Sequence, residues 1–269
     1  MCNPKGYVDA DYLDTAAALV ADIKQQSFER MAIQAGARVL DLGCGPGIDT
    51  VALGRMVGSY GEVHGVDYDV AMVREADTRA KAEKVDGWVS HHHASASALP
   101  WPSGYFDACR SERVFQHLLD PERAFDEILR VTKSGGRLVV VDSDWATLTV
   151  DTDEPLLERR LVQFHAAHMM NNPYSGRHLH RMFCRRGLKD IRLNVHPVFI
   201  TDVAVARQIL RLDHLAVEAL AAGVIDAEES LRWQASLSRA AASGGFFACA
   251  NAVMVSGQKP PRLTDATRN

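Results

Sequence analysis

The sequence predicts an α/β fold built on a doubly wound, mostly parallel sheet, and three observations carry that prediction. Residues 38–42, Arg-Val-Leu-Asp-Leu, form the short apolar run of a buried strand. The run leads directly into Gly43, Gly45 and Gly47, which lack a Cβ and so let the backbone turn tightly and come close to a ligand. A helix pattern follows from Asp49 to Val57, which gives the strand, glycine loop and helix order of a nucleotide-type ligand site.

Later elements continue the alternation. Gly61–Asp67 reads as a second strand ending in an acid, 26 residues after Asp41. An acid at the tip of a neighbouring strand suits a bidentate contact to ribose hydroxyls. It also suits the N-cap of the next helix pattern, Val70 to Glu83; Asp67 can do both, or Asp69 can cap while Asp67 binds. Tyr105–Ser111 reads as another strand, with a helix-like run after it to Leu119. A helix from Ala124 to Thr132, a turn at Lys133–Arg137 and a strand from Leu138 to Asp142 follow.

The glycine loop has its own chemistry. Its spacing is G-x-G-x-G, one residue short of the dinucleotide fingerprint, and the G-x-x-x-x-G-K-S/T phosphate loop is absent. A carboxylate at Asp41 repels a pyrophosphate and favours a cationic ammonium or sulfonium. The stretch 39–47, VLDLGCGPG, closely resembles the first motif of class I S-adenosylmethionine-dependent methyltransferases. His93 to Pro102 resembles that family's third segment, with Ser95 standing where the family usually has an Asp near the adenine amino group. Ser134-Gly135-Gly136 stands where relatives have Pro-Gly-Gly. The matches cover about residues 35–145 in order. The resemblance implies a Rossmann-like sheet of seven strands, the seventh inserted antiparallel between the fifth and sixth. It implies S-adenosylmethionine as cofactor, with Asp41, Gly43, Gly45, Asp67, Tyr68, Ser95, Ala96 and Ser111 around it, Tyr68 beside the adenosine.

The 269 residues, 47% hydrophobic, suffice for one large core with an appended helical cap. The balance of 30 basic and 34 acidic residues argues against a nucleic-acid partner. Five cysteines without repeating spacing point to reduced thiols and a cytoplasmic location. No run approaches a membrane span and the N-terminus has no apolar signal segment. His91-His92-His93 reads as strand or loop sequence, with no acid or Cys at ligand spacing, and no metal is expected. Monomer and homodimer both remain open.

The organisation expected is an N-terminal helical lid (1–34, helical from about Asp9 to Ile33), a cofactor-binding half (35–145), cap helices with strands six and seven (146–257), and a disordered tail (258–269). Within the third part, helices are predicted over Glu154–Met170, Gly176–Arg186, Asp202–Ala221 and Asp226–Ala242, with strands at Lys189–Ile200 and Phe246–Gly257. The helices over 154–186 hold Phe164, His165, His168, Met169, Met170 and Tyr174. These serve either as an amphipathic lid or as part of an apolar pocket for a small acceptor. His165 and His168 share a helix face, a spacing open to a metal role.

The function expected is methyl transfer from S-adenosylmethionine to O, N or C of a small, partly apolar metabolite, as in the ubiquinone/menaquinone and natural-product methyltransferases this chain resembles. His117 is the candidate base on the helix leaving the fourth strand, or else it packs that helix; Asp142 and Asp144 follow the fifth strand and either accept a proton or cap the next segment. One alternative keeps the cofactor but runs a rearrangement or cyclisation. Another is a nicotinamide-dependent oxidoreductase, disfavoured by the glycine spacing and the missing Tyr-x-x-x-Lys pair. Asn172-Pro173-Tyr174 is not the amino-methyltransferase motif, which belongs after the fourth strand, where this chain has Ser111-Glu112-Arg113.

Overall fold

Alternation along each strand sets the architecture. Leu40, Leu42, Leu138 and Val140 pack with Phe106, Phe125 and Phe183 on one face, while Val39, Val63, Val139 and Val141 pack with Phe28, Met31 and Leu53 on the other. Strands apolar at successive positions must be covered on both faces, which is the condition for a parallel sheet between helix layers. The computed structural model describes residues 19–261.

Seven strands form one sheet: β1 (Arg38–Leu42), β2 (Glu62–Asp67), β3 (Val89–His93), β4 (Phe106–Glu112), β5 (Thr132–Val150), β6 (Lys189–Ile200) and β7 (Ala248–Gln258). Their order is β3-β2-β1-β4-β5-β7-β6. The first five run parallel, and β7 pairs antiparallel with both β5 and β6. The order reverses between β1 and β4, so a crevice opens at their carboxyl ends, where such sheets bind ligands.

The helices among the described residues are α1 (Ala21–Met31), α2 (Ile48–Val57), α3 (Val70–Ala82), α4 (Pro121–Val131), α5 (Pro155–Met169), α6 (Ser175–Arg185), α7 (Val203–Leu210), α8 (Leu212–Ala221) and α9 (Ala227–Ser243). Several starts are written in the sequence. Asp69 accepts the Ala71 N–H at 2.8 Å, Asp120 accepts that of Arg123 ahead of Pro121, and Asp226 and Glu229 form a reciprocal capping box. A second core lies above the sheet, where Trp145, Leu148 and Val150 of β5 meet Leu161 and Phe164 of α5, Leu215 of α8 and Trp233 of α9.

Four expectations change. The run from Ser111 to Leu119 is not a helix: it holds only a 3₁₀ turn at Phe115–His117, because the Asn172 side chain takes the Phe115 and Leu118 carbonyls. The fifth strand does not end at Asp142; a bulge between Asp144 and Thr149 lets it continue beside β7 to Val150. The helix expected over Asp202–Ala221 is two helices, broken at Arg211, whose φ of 51° is left-handed. The chain at 258–261 is part of the fold: Gln258 pairs with Arg137, and the Lys259 ammonium donates to the Leu129 and Thr132 carbonyls, each at 2.7 Å. Residues 9–18 of the expected first helix, and 262–269, lie outside the described residues.

Candidate active site

The β1–α2 loop and the tips of β2, β3 and β4 enclose a cavity of about 720 Å³. Gly43, Gly45, Asp67, Tyr68, Ser95 and Ala96 line it. The Asp67 carboxylate accepts the Gly45 N–H at 2.9 Å through Oδ2 and the Asp69 N–H at 3.0 Å through Oδ1, tying the glycine loop to β2. Burial pushes its pKa up, and those backbone donors oppose the shift. Asp69 caps α3, which leaves Asp67 to face the cavity. Ser95 Oγ accepts the Ser97 N–H at 3.2 Å, and Tyr68 stands half exposed at the edge.

The glycines act in part through protein contacts rather than the cavity. At Gly43, φ is 74° and a Cβ would lie 2.1 Å from Val114; at Gly47, φ is 82° and a Cβ would meet the Ala76 backbone of α3 at 2.8 Å. Only a residue without a Cβ closes this loop against both neighbours.

Two predicted cofactor residues do not line the cavity. The Ser111 hydroxyl is fully buried and donates to the Leu42 carbonyl at 3.1 Å, within the β1–β4 seam. Asp41 sits behind the wall, beside Arg110 in the β1–β4 register. The Arg110 guanidinium, 1% exposed, is the centre of a charged cluster. It donates to Ser27 Oγ and Asp49 at 2.8 Å, to Asp41 at 3.3 Å, and to Glu112. Lys24 of α1 pairs with Asp49 at 2.6 Å and Glu112 at 3.0 Å. Arg113 also reaches Glu112, at 3.7 Å, so three carboxylates meet three cations. Burial raises the Asp41 pKa to about 7 despite Arg110. Burial also acts on Asp49, but Arg110 and Lys24 overrule it and hold its carboxyl at about 2. Lys24, Asp49, Arg110 and Glu112 all reach the cavity. The sequence carried one sign of this cluster, a charged residue inside the apolar run of β4. Glu112 lies two positions on along the strand, whereas Asp49 and Asp41 lie 61 and 69 positions away, beyond any local pattern.

A second cavity of about 120 Å³ adjoins the first, and Glu112, Arg113 and His117 line both. Leu19, Val20 and Ile23 of the N-terminal segment, Met170, and Ile209 and Leu210 of α7 make its wall mostly apolar. Arg113 stands at the junction with φ 56°, a conformation non-glycine residues adopt at a cost, held by its N–H to Val141 O at 2.8 Å.

The candidate catalytic residues are distributed unevenly. His117 is at the junction, on the 3₁₀ turn rather than a helix. Trp145 Nε1 donates to Gln116 Oε1 at 2.6 Å, which fixes the Gln116 amide with its NH₂ facing His117 Nε2 at 3.1 Å. His117 Nε2 is thus the acceptor and its proton sits on Nδ1, so the lone pair a base would use is engaged. Asp144 lines neither cavity: it is buried in β5, paired with Arg177 of α6 at 2.5 Å. Asp142, fully buried and raised to about 7 by that burial, accepts the Gln116 N–H at 3.0 Å and the Ser175 hydroxyl at 3.1 Å. Its work is to pin the His117 turn and α6 to the sheet. Neither Asp caps a following segment, because the strand runs through both.

His165 lies on α5, the helix expected to form a lid or part of an apolar pocket. Its ring, 2% exposed, lines the second cavity, and neither nitrogen has a hydrogen-bond partner among the described residues. His168 instead bonds the Phe164 carbonyl at 2.9 Å and stacks on that ring. His91 and His92 are strand residues with partners in Asp77, Thr50, Ser90 and His64.

The methyltransferase-domain family matches residues 40–140, the segment that builds this crevice. The chain is 32% identical over 255 residues to an uncharacterised 37.1 kDa protein in transposon Tn4556 of Streptomyces fradiae, a match covering 94% of this chain and 72% of that protein. It is 34% identical over 119 residues to the ubiquinone/menaquinone biosynthesis C-methyltransferase UbiE of Yersinia enterocolitica. The chain belongs to the class I S-adenosylmethionine-dependent methyltransferases. The UbiE match covers 44% of this methyltransferase and 47% of the relative, so it spans about half of that relative's length. The YcgJ protein of Bacillus subtilis has the same fold, with a TM-score of 0.61 at 21% identity over 90% of this chain and 98% of that one. Among the described residues no helix is long and apolar enough to cross a membrane.

Proposed function

We propose that this methyltransferase moves the methyl group of S-adenosylmethionine onto a small, partly apolar acceptor seated in the second cavity. The observation that carries the proposal is the meeting of a large cavity with charged side chains in its wall and a smaller one at Glu112, Arg113 and His117. A transfer between two bound molecules needs two adjoining sites with a shared opening.

The residues of the larger cavity suit the cofactor. The Asp67 carboxylate faces the cavity with acceptor capacity for ribose hydroxyls, and the glycine loop gives that end backbone rather than side chains. Ser95, Ala96 and Tyr68 supply the side on which a purine would lie. Lys24, Asp49 and Glu112 present both signs of charge, as a zwitterionic amino-acid end requires. Bound S-adenosylmethionine supplies an activated methyl on a sulfonium. The chain's own contribution is alignment, which is where the gain lies in an in-line displacement between two held reactants. The apolar wall from α1, β7 and α7 excludes water from the acceptor. His117 can take an acceptor proton only by exchanging its bond to Gln116 for it, and Asp142 keeps that turn in place meanwhile.

Calorimetric titration with S-adenosylmethionine, S-adenosylhomocysteine and NADH tests the donor. Binding of the first two without the third is expected, and binding of NADH alone would overturn the reading. Incubation with methyl-labelled donor and a fractionated metabolite extract tests transfer, with label expected in a small organic product.

A further inference from the structure

His165 lines the second cavity with the hydrogen-bonding capacity of both ring nitrogens buried and unused among the described residues. The ring packs edge-on against Trp145 at 5.2 Å. A buried polar group without a partner loses its hydration uncompensated, and such groups in a native fold call for an explanation. Val20, Ile23, Met170, Ile209 and Leu210 line the same cavity, and Ser143, Arg211 and Asn251 are among its polar members. Trp145 joins His165 to Gln116, and Gln116 joins it to His117, so the imidazole belongs to the wall that runs to the junction with the cofactor cavity.

We infer that His165 reads a single neutral hydroxyl on an otherwise apolar, ring-sized acceptor, and so sets which molecules this methyltransferase accepts. The inference rests on the proposed acceptor role of the second cavity. A cavity of about 120 Å³ is close to the size that holds one aromatic ring. Burial, helped by the Arg211 charge, lowers the His165 pKa to about 4, so the ring is neutral in ordinary buffers. A neutral imidazole offers one N–H donor and one lone pair, which suits a hydroxyl, itself a donor and an acceptor. A hydrocarbon would leave both nitrogens orphaned. A carboxylate could use only the donor and would bring a charge into an apolar chamber.

The test uses three para-substituted toluenes of nearly equal shape: p-cresol, p-xylene and p-toluate. Their dissociation constants are measured by ligand-observed NMR on the wild-type chain, His165→Phe and His165→Gln. In wild type, p-cresol is expected to bind about tenfold more tightly than p-xylene. His165→Phe should erase that preference, and His165→Gln, which keeps a donor and an acceptor, should restore part of it. Equal binding of p-cresol and p-xylene to wild type, binding of neither, tighter binding of p-toluate, or an undiminished preference in His165→Phe each overturns the inference. S-adenosylmethionine affinity, measured on the same three proteins, is expected to stay within about twofold. Loss of donor binding in wild type would instead sink the proposed function and leave the hydroxyl preference to be judged by itself.

Discussion

Replacing Arg110 with Met should cost more stability than almost any other single change outside the apolar core. The substitution keeps a long, unbranched side chain in a site that is 1% exposed, but it removes the partner of three acids. Asp41 would then have no cation, Asp49 would keep Lys24, and Glu112 would keep Lys24 and the more distant Arg113. Removing one member of a buried charged network costs about 3–5 kcal/mol, chiefly through the charges left uncompensated. At about 2–4 °C per kcal/mol for a chain of this size, the melting temperature should fall by roughly 6–20 °C. The pH dependence gives a second reading. With Arg110 gone, the cluster's carboxyls hold protons more strongly in the native state than in the unfolded chain. Stability then falls as pH rises, because the native state binds more protons over that range. The deficit relative to wild type should therefore be smaller near pH 5.5 than near pH 8. Urea denaturation of both proteins at the two pH values measures it, and Arg110→Met combined with Asp49→Asn should lose less than the sum of the single changes. A melting temperature within about 2 °C of wild type at pH 8 would mean the cluster is solvated and weakly coupled, and the reasoning would fail.

Asp67→Ala removes the carboxylate facing the larger cavity and should weaken S-adenosylmethionine binding about 100-fold by calorimetry, the loss of two charge-assisted hydrogen bonds. Gly43→Ala places a Cβ against Val114 at a φ of 74°, so a drop of about 2 kcal/mol or more in urea-unfolding stability is expected, with weakened donor binding. His165→Phe should flatten one component of the acid side of the stability curve. The unfolded imidazole binds a proton below about 6.5, and the buried one only near 4, so wild type loses up to about 3 kcal/mol between those pH values that the variant keeps. Equal acid-side slopes for the two proteins would contradict the buried, neutral assignment. Asp144→Asn should leave turnover with the true acceptor within about twofold, because Asp144 faces Arg177 and neither cavity; a tenfold loss would restore it as a catalytic candidate.

Much of this protein was legible from residues close together in the chain. Successive apolar positions at 39–42 and 138–141 specify strands covered on both faces, and a glycine-rich turn between strand and helix specifies a ligand crevice, because these signals act over a few residues. Whether Asp67 or Asp69 caps the next helix stayed open in the sequence, and the structure gives the cap to Asp69. Side-chain roles that depend on distant partners were not legible. Asp41 is turned from a contact for a cationic ligand into a member of an internal charge cluster by Arg110, 69 positions away. Asp144 is drawn out of the crevice by Arg177, and the helix expected after β4 is cut to a turn by Asn172. His165 gained its meaning only when α5 folded over β5 and left a polar ring without a partner inside an apolar chamber. Local periodicity thus determined the sheet and the loop, and the family resemblance of the loop implied the methyl donor. Tertiary packing decided which charges cancel, which lone pairs are taken and what the acceptor cavity presents, because desolvation and pairing depend on neighbours in space rather than in sequence.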